Sequence, residues 1–271
     1  MIDLHTHSTA SDGTLAPADL VREAAAQGLT QLALTDHDTL AGLSAARAAA
    51  AGTGLRLVPG VELSVRWEGL SLHIVGLNVA SDDAGLAAGL VRQQAARLER
   101  ARAIAERLRR LGCGAAAERA LADTAMPTRA HFARALVATG DAADTNTAFR
   151  RWLRRGRPAY VPGAWVSLAE GIAWIRAAGG IAVLAHPLRY ALGSAAMKRL
   201  LGAFRDAGGE AIEVVSGNAT PHDIGIVLEQ ARRFGLLASA GSDFHAPAPW
   251  LAPGRLAPLP ATATPVWSRW T

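Results

Sequence analysis

Ile2-Asp3-Leu4-His5-Thr6-His7, a helical stretch at residues 17–28, and Gln31-Leu32-Ala33-Leu34-Thr35-Asp36-His37-Asp38 read in succession as strand, helix and strand. Both apolar runs end abruptly in histidine and carboxylate. Short apolar runs separated by an amphipathic segment are the pattern of a parallel α/β unit. Such folds gather their reactive groups at the C-terminal edge of the strands. A period of two puts His5 and His7 on the same side of the first strand.

The rhythm continues outward, with a helix near 40–52 and strands near 55–58 and 71–77. It resumes after residue 166 as helix 167–178, strand 181–185, helix 194–207, strand 211–215, helix 221–234 and strand 236–240. A chain of 271 residues with this alternation is expected to form one α/β barrel. Residues 84–158 break the pattern: helical stretches at 86–111, 128–138 and 145–154 carry many arginines and no clear strand. The expected organisation is therefore a discontinuous barrel, 1–83 and 159–271, holding a helical insertion at 84–158. The tail from Ala246 has six of the 13 prolines and Trp250, Trp267 and Trp270, so an irregular segment pinned by its indoles is expected.

Composition narrows the chemistry. The longest apolar candidate, around 172–185, is broken by Arg176, so no membrane span is expected. A cleaved leader is not expected either, since removing it would take His5 and His7 with it. The single Cys113 excludes an internal disulfide framework and a thiolate metal site, which points to a reducing cytoplasm and to metals held by nitrogen and oxygen. The net charge of +5 is uneven: residues 92–157 carry 15 Arg against 6 acids, and the remainder is net acidic. An acidic body suits cations, and a basic attachment attracts a polyanionic substrate.

Further donors follow the same placement. Asp12 lies in the turn Ser11-Asp12-Gly13-Thr14, and Glu62 follows Pro59-Gly60 in Val61-Glu62-Leu63-Ser64. His73 interrupts the apolar run Leu72-His73-Ile74-Val75. Ala185-His186-Pro187 ends one strand, and Gly241-Ser242-Asp243-Phe244-His245 ends another. Any one of these histidines could be a hydrogen-bonded core residue, but six of the eight fall in strands or at strand ends. The set His5, His7, Asp12, His37, Glu62, His73, His186, Asp243 and His245 exceeds what one ion uses, about four to six donors. Two or three ions account for it, and the imidazole and carboxylate mixture suits Mn²⁺, Fe²⁺ or Zn²⁺.

The order His-x-His, Ser-Asp-Gly, Thr-Asp-His-Asp, Gly-Val-Glu, a lone strand histidine, Ala-His-Pro and Gly-Ser-Asp-Phe-His resembles the PHP family, the polymerase and histidinol phosphatase domain. That resemblance implies a distorted (β/α)₇ barrel of the PHP type with a trinuclear centre, here with a helical insertion subdomain. It further implies that His5, His7 and Asp243 hold one ion, that Glu62 bridges it to a second held by His73 and His186, and that Asp12, His37 and His245 hold the third. A metal-bridging hydroxide held by Glu62 would be the nucleophile, with Asp12 and His186 as candidates for proton transfer.

Within the family, the insertion, Pro127-Thr128-Arg129-Ala130-His131, His186-Pro187-Leu188-Arg189-Tyr190 and the Trp-bearing tail resemble the branch of nucleoside 3′,5′-bisphosphate phosphatases and 5′-3′ exoribonucleases. The expected activity is thus release of the 3′-phosphate from nucleoside bisphosphates, and trimming of short 5′-phosphorylated RNA from the 5′ end. Arg129 and Arg189 are the expected phosphate contacts, because a guanidinium binds phosphate oxygens in pairs. A solvated arginine is the alternative for each. The rival functions are a small-metabolite phosphatase such as histidinol phosphatase and a non-catalytic nucleotide-binding module. No obligate protein partner is inferred.

Overall fold

The computed structural model describes residues 1–248 and 251–270. By contacts the chain divides into two compact units, residues 1–89 with 166–271, and residues 90–165.

The first unit is built on a mixed sheet. Its strands are β1 (Ile2–Thr6), β2 (Gln31–Leu34), β3 (Arg56–Trp67), β4 (Leu70–Leu77), β5 (Val166–Ser167), β6 (Ile181–Leu184), β7 (Ala211–Ser216) and β8 (Leu237–Gly241). They run in the order β1-β2-β3-β4-β6-β7-β8, with the short β5 added to β3. The ends come together: Thr6 bridges Phe244 in parallel, the Asp243 amide donates to the His5 carbonyl, and the His7 amide donates to the Phe244 carbonyl. The sheet is thereby nearly closed into a distorted α/β barrel.

The expectation of a uniform parallel alternation is corrected at one place. β3 pairs β4 antiparallel, and β4 pairs β6 antiparallel. Two residues, Glu68 and Gly69, join β3 to β4, and both have positive φ, 42° and 75°. That backbone matches the right-handed twist of a tight hairpin. Pro59-Gly60 does not end the third strand, which continues to Trp67 and so carries Glu62 inside a long ladder.

Helices cover the sheet. α1 (Pro17–Ala26) starts with proline in its first turn, where a missing N–H costs nothing. It packs with α2 (Leu43–Ala50) through Leu20, Val21, Leu43 and Ala46 onto Leu32 and Leu34. A second apolar cluster joins Leu4, Val58, Val75, Leu77, Val183 and Ala211 across the sheet. The later helices are α7 (Leu168–Ala177), α8 (Ser194–Asp206) and α9 (Pro221–Phe234). The tail is tied down as expected: Trp267 and Trp270 pack on the second cluster, and the Trp270 indole donates to Gln31. The Ala238 amide also donates to the Thr264 carbonyl. Trp250 lies outside the described residues.

α3 (Ala84–Arg110) runs from the first unit into the second. The second unit adds α4 (Gly114–Asp123), α5 (Arg129–Ala138), α6 (Thr145–Ala148) and a π-turn at Phe149–Leu153. Its own core is built from Ile104, Leu108, Ala117, Phe132, Leu136 and Leu153, with Cys113 buried among them as a free thiol. α4 was not foreseen, because its alanines supply helix propensity without a wide apolar stripe. Among the described residues, no helix is long and apolar enough to cross a membrane.

Candidate metal centre

Glu62 collects the histidines. Its side chain is fully buried on β3, and five imidazoles stand around it. Oε1 lies 3.2 Å from His5 Nε2, 2.9 Å from His73 Nδ1 and 3.1 Å from His186 Nε2. Oε2 lies 3.3 Å from His7 Nε2 and 2.8 Å from His37 Nδ1. The strands explain the meeting. His5 and His7 come from β1 and its end, His37 from just after β2, where it bridges Glu62, and His73 from β4, opposite Ser64.

Asp243 and His245, just beyond β8, complete the ring. Asp243 Oδ1 is 3.1 Å from His7 Nε2 and 3.4 Å from His5 Nε2. Asp12 Oδ1 is 3.1 Å from His245 Nε2, and Asp12 Oδ2 is 3.8 Å from His37 Nε2. All nine residues expected to bear donors therefore converge at one end of the barrel.

Three subsets have ligand atoms within 4.8 Å of one another: His7, Asp12, His37 and His245; His5, His7, Glu62 and Asp243; and His37, Glu62 and His73. His7 and His37 thus stand between groups that the family resemblance keeps separate. His186 faces Glu62 at 3.1 Å but belongs to none of these three groups.

The donor set fits divalent cations. His5 Nε2, His73 Nδ1, His186 Nδ1 and Glu62 Oε2 are buried and make no hydrogen bond. Leaving such atoms unsatisfied costs about 1–3 kcal/mol each. Two donors bound to one ion at about 2.0–2.2 Å are themselves roughly 3 Å apart, the spacing seen around Glu62.

Charge follows from the crowding. Burial works to raise the Glu62 carboxyl, but the imidazoles of His37, His73 and His5 hold it well below the usual carboxylate range. Burial pushes His7 down to about 3, helped by the neighbouring His245 ring. Burial likewise lowers His73 to about 4. His245 goes the other way, to about 10, because Asp12 and Asp243 outweigh its burial. His5 is raised well above its usual value, as Glu62, Glu213 and Asp243 overcome desolvation.

A second layer holds these side chains in place. His5 Nδ1 is 2.8 Å from Glu213 Oε1, and the His186 amide donates to Glu213 Oε2 at 2.6 Å. Asp36 accepts from the Ser8 amide and from the Ser8 and Ser11 hydroxyls, and burial raises its carboxyl to about 6. Asp38 accepts from the Ser64 amide, and Asp3 accepts from the amides of Ser242 and Gly254. Gly241 leaves room for the arrangement: a Cβ there would stand 2.2 Å from His5 Cβ and 2.6 Å from Glu213 Oε1. His186 and Asp243 both sit at positive φ, 31° and 52°, a conformation that costs free energy and concentrates at working sites.

Glu213 was missed from sequence, although a signal was present: a carboxylate inside the apolar run Ala211-Ile212-Glu213-Val214-Val215 must be partnered if buried. Arg189 is half-exposed beside the site and donates to Asp243 Oδ2. Arg129 lies in the second unit, at the start of α5 and over the Phe149 ring. His131 is buried one turn along and caps α5 by accepting from the Thr128 amide.

The model of the PHP domain matches residues 3–155. A 3′,5′-nucleoside bisphosphate phosphatase of Chromobacterium violaceum is 44% identical, covering 98% of this chain and 95% of the relative. A 5′-3′ exoribonuclease of Haemophilus influenzae is 42% identical over 98% of each chain. Among solved structures, an amidohydrolase from Chromobacterium violaceum with bound sulfate and no metal superposes with a TM-score of 0.95 at 44% identity, covering 99% of this chain and 95% of that one. A structure from Bifidobacterium adolescentis assigned to the metal-dependent phosphoesterases gives 0.79 at 30% identity, covering 98% and 92%.

Proposed function

Because the chain belongs to the PHP domain family, we propose that it is a metal-dependent phosphoesterase that removes the 3′-phosphate of nucleoside 3′,5′-bisphosphates and trims short 5′-phosphorylated RNA from the 5′ end. The observation that carries this reading is Glu62, an ionised carboxylate buried among five imidazoles. Divalent cations would balance so many lone pairs in so small a volume. The names of the relatives, a bisphosphate phosphatase and an exoribonuclease, favour a nucleotide over a small metabolite.

The residues that would hold the ions are His5, His7, Asp12, His37, Glu62, His73, His186, Asp243 and His245, and two or three Mn²⁺ ions suit them, with Fe²⁺ or Zn²⁺ as alternatives. Bound there, such ions neutralise phosphate oxygens and bring the pKa of a water toward neutrality. The protein's own groups do the rest. Glu213 and Asp36 fix the first ring of donors, so little reorganisation is needed when charge develops. Arg189 carries a guanidinium to the rim, with donors beyond those spent on Asp243 to orient the phosphate being removed. Asp12 is held well below its usual value by His37 and His245 despite its burial, so near neutrality it has no proton to give. His186 directs Nε2 at Glu62, which makes it a weak candidate for protonating the leaving oxygen.

Arg129 is the proposed contact for the distal phosphate. In the second unit it joins Arg97 and Arg100, which both lie over the Trp165 ring. Burial and the like charges of Arg129 and Arg97 push Arg100 down to about 9. An arginine so destabilised gains from an anion, which supports a phosphate site in this unit. The lone thiol and the nucleotide substrate both suit the cytoplasm.

The exonuclease arm is tested with a short RNA carrying a 5′-phosphate and a 3′ label. Stepwise loss of 5′ mononucleotides in the presence of Mn²⁺ supports it. Loss from the labelled end, or an intact RNA, contradicts it.

A further inference from the structure

Beside the histidine ring the first unit has a pocket of about 360 Å³ between the turn Pro187–Tyr190, the end of β7 and the start of α9. One wall is His186 and Glu213, so the pocket opens directly off the candidate metal centre. Its other walls are Pro187, Leu188 and Val227, with the polar residues Ser216 and Asn218 also on its lining. The size falls within the range of about 300–1,000 Å³ common for small-molecule sites.

The charges deep in this pocket disfavour a phosphate. Glu213 and Asp223 are both acidic, and Asp223 is spent on capping α9 through Thr220. The one cation among the lining residues, Arg189, turns its guanidinium toward Asp243, on the side where the phosphate being removed would lie. What remains is neutral: an apolar wall with Leu188 partly exposed at 39%, and two uncharged polar side chains. The Ser216 hydroxyl oxygen is buried and has no hydrogen-bond partner, so it waits for a donor or acceptor from outside the protein.

The geometry points to this pocket as the site of the nucleobase of the substrate, with Leu188 and Val227 against its faces and Ser216 and Asn218 reading its polar edge. The inference rests on the nucleotide reading above. Flat, uncharged groups with an apolar face and a polar rim fit such walls, whereas a ribose or phosphate does not use the apolar side. It makes Leu188, Ser216, Asn218 and Val227 the residues that set base preference.

The test uses two variants of the whole chain. Ala219→Leu fills the pocket from its lining, and Leu188→Ala removes an exposed wall without loading the core. Each is assayed with adenosine 3′,5′-bisphosphate and with base-free ribose 3,5-bisphosphate. The expected result is a KM for the adenosine substrate raised about tenfold or more, with kcat/KM on the base-free substrate unchanged. Equal effects on both substrates, or none on either, overturn the inference.

If the unaltered protein releases phosphate from neither compound, the functional reading fails, and the pocket is judged by calorimetric binding of adenosine alone. Binding weakened at least tenfold by Ala219→Leu and Leu188→Ala supports the pocket. Binding that is absent, or indifferent to both changes, overturns it.

Discussion

Glu213 Oε1 stands 2.8 Å from His5 Nδ1, on the side of the ring away from Glu62. The contact fixes the ring's orientation and leaves Nε2 as the atom that faces the other donors. Replacing Glu213 by Gln should keep the fold and weaken divalent metal binding by about 10–100-fold, the usual effect of losing such a support. Metal titration by calorimetry checks this, and unchanged affinity would remove Glu213 from the account.

The same neighbourhood limits what can occupy position 241. Gly241→Ala puts a methyl group within 2.2 Å of His5 Cβ, and the backbone of β1 and β8 must part to admit it. Overpacking of this kind costs about 1–3 kcal/mol. Thermal denaturation should show a lowered midpoint, together with weaker metal binding. An unshifted midpoint would mean that the two strands give way freely.

Protons compete with metal here in a defined direction. In the metal-free protein His245, raised to about 10, and His5, raised well above its usual value, are charged at pH 7, while His7 near 3 and His73 near 4 are neutral. Imidazole binds metal only when neutral. Loading at pH 7 should therefore expel about two protons per chain, and affinity should rise as pH climbs from 7 toward 10. Calorimetry in two buffers of different ionisation enthalpy counts the protons; none released would contradict the charge assignment. The corresponding stability is present below about pH 6.5 and lost as pH rises through 10, since the folded pKa of His245 exceeds the unfolded one.

Arg129→Ala should raise KM for a nucleoside 3′,5′-bisphosphate by about tenfold or more, the loss of a charge-assisted contact of about 1.5–3 kcal/mol. Turnover of p-nitrophenyl phosphate, which has no second phosphate, should not change. Equal loss on both would make Arg129 structural.

Much of this was legible because donors at strand ends obey simple geometry. His5 and His7 share a side through the period of two, and Glu62, His186 and Asp243 follow β-rich runs that could be read directly. The hairpin was not legible, because Pro59-Gly60 looks like a stop and the turn at Glu68-Gly69 carries only one glycine. Glu213 was passed over because it ends no strand and forms no short motif; its role exists only through a partner 208 residues away. Asp36 was read as part of a ligand-rich stretch, yet it faces Ser8 and Ser11 and supports the ring from behind.

The central claim is tested most directly by phosphate release from adenosine 3′,5′-bisphosphate, using protein stripped of metal and then reloaded with Mn²⁺, beside histidinol phosphate and the Glu62→Gln variant. The account predicts release only after reloading, a clear preference for the bisphosphate, and a loss of at least about a hundredfold in the variant, in line with removing a central ligand. Release that survives stripping or the Glu62 change, or a preference for histidinol phosphate, would contradict it.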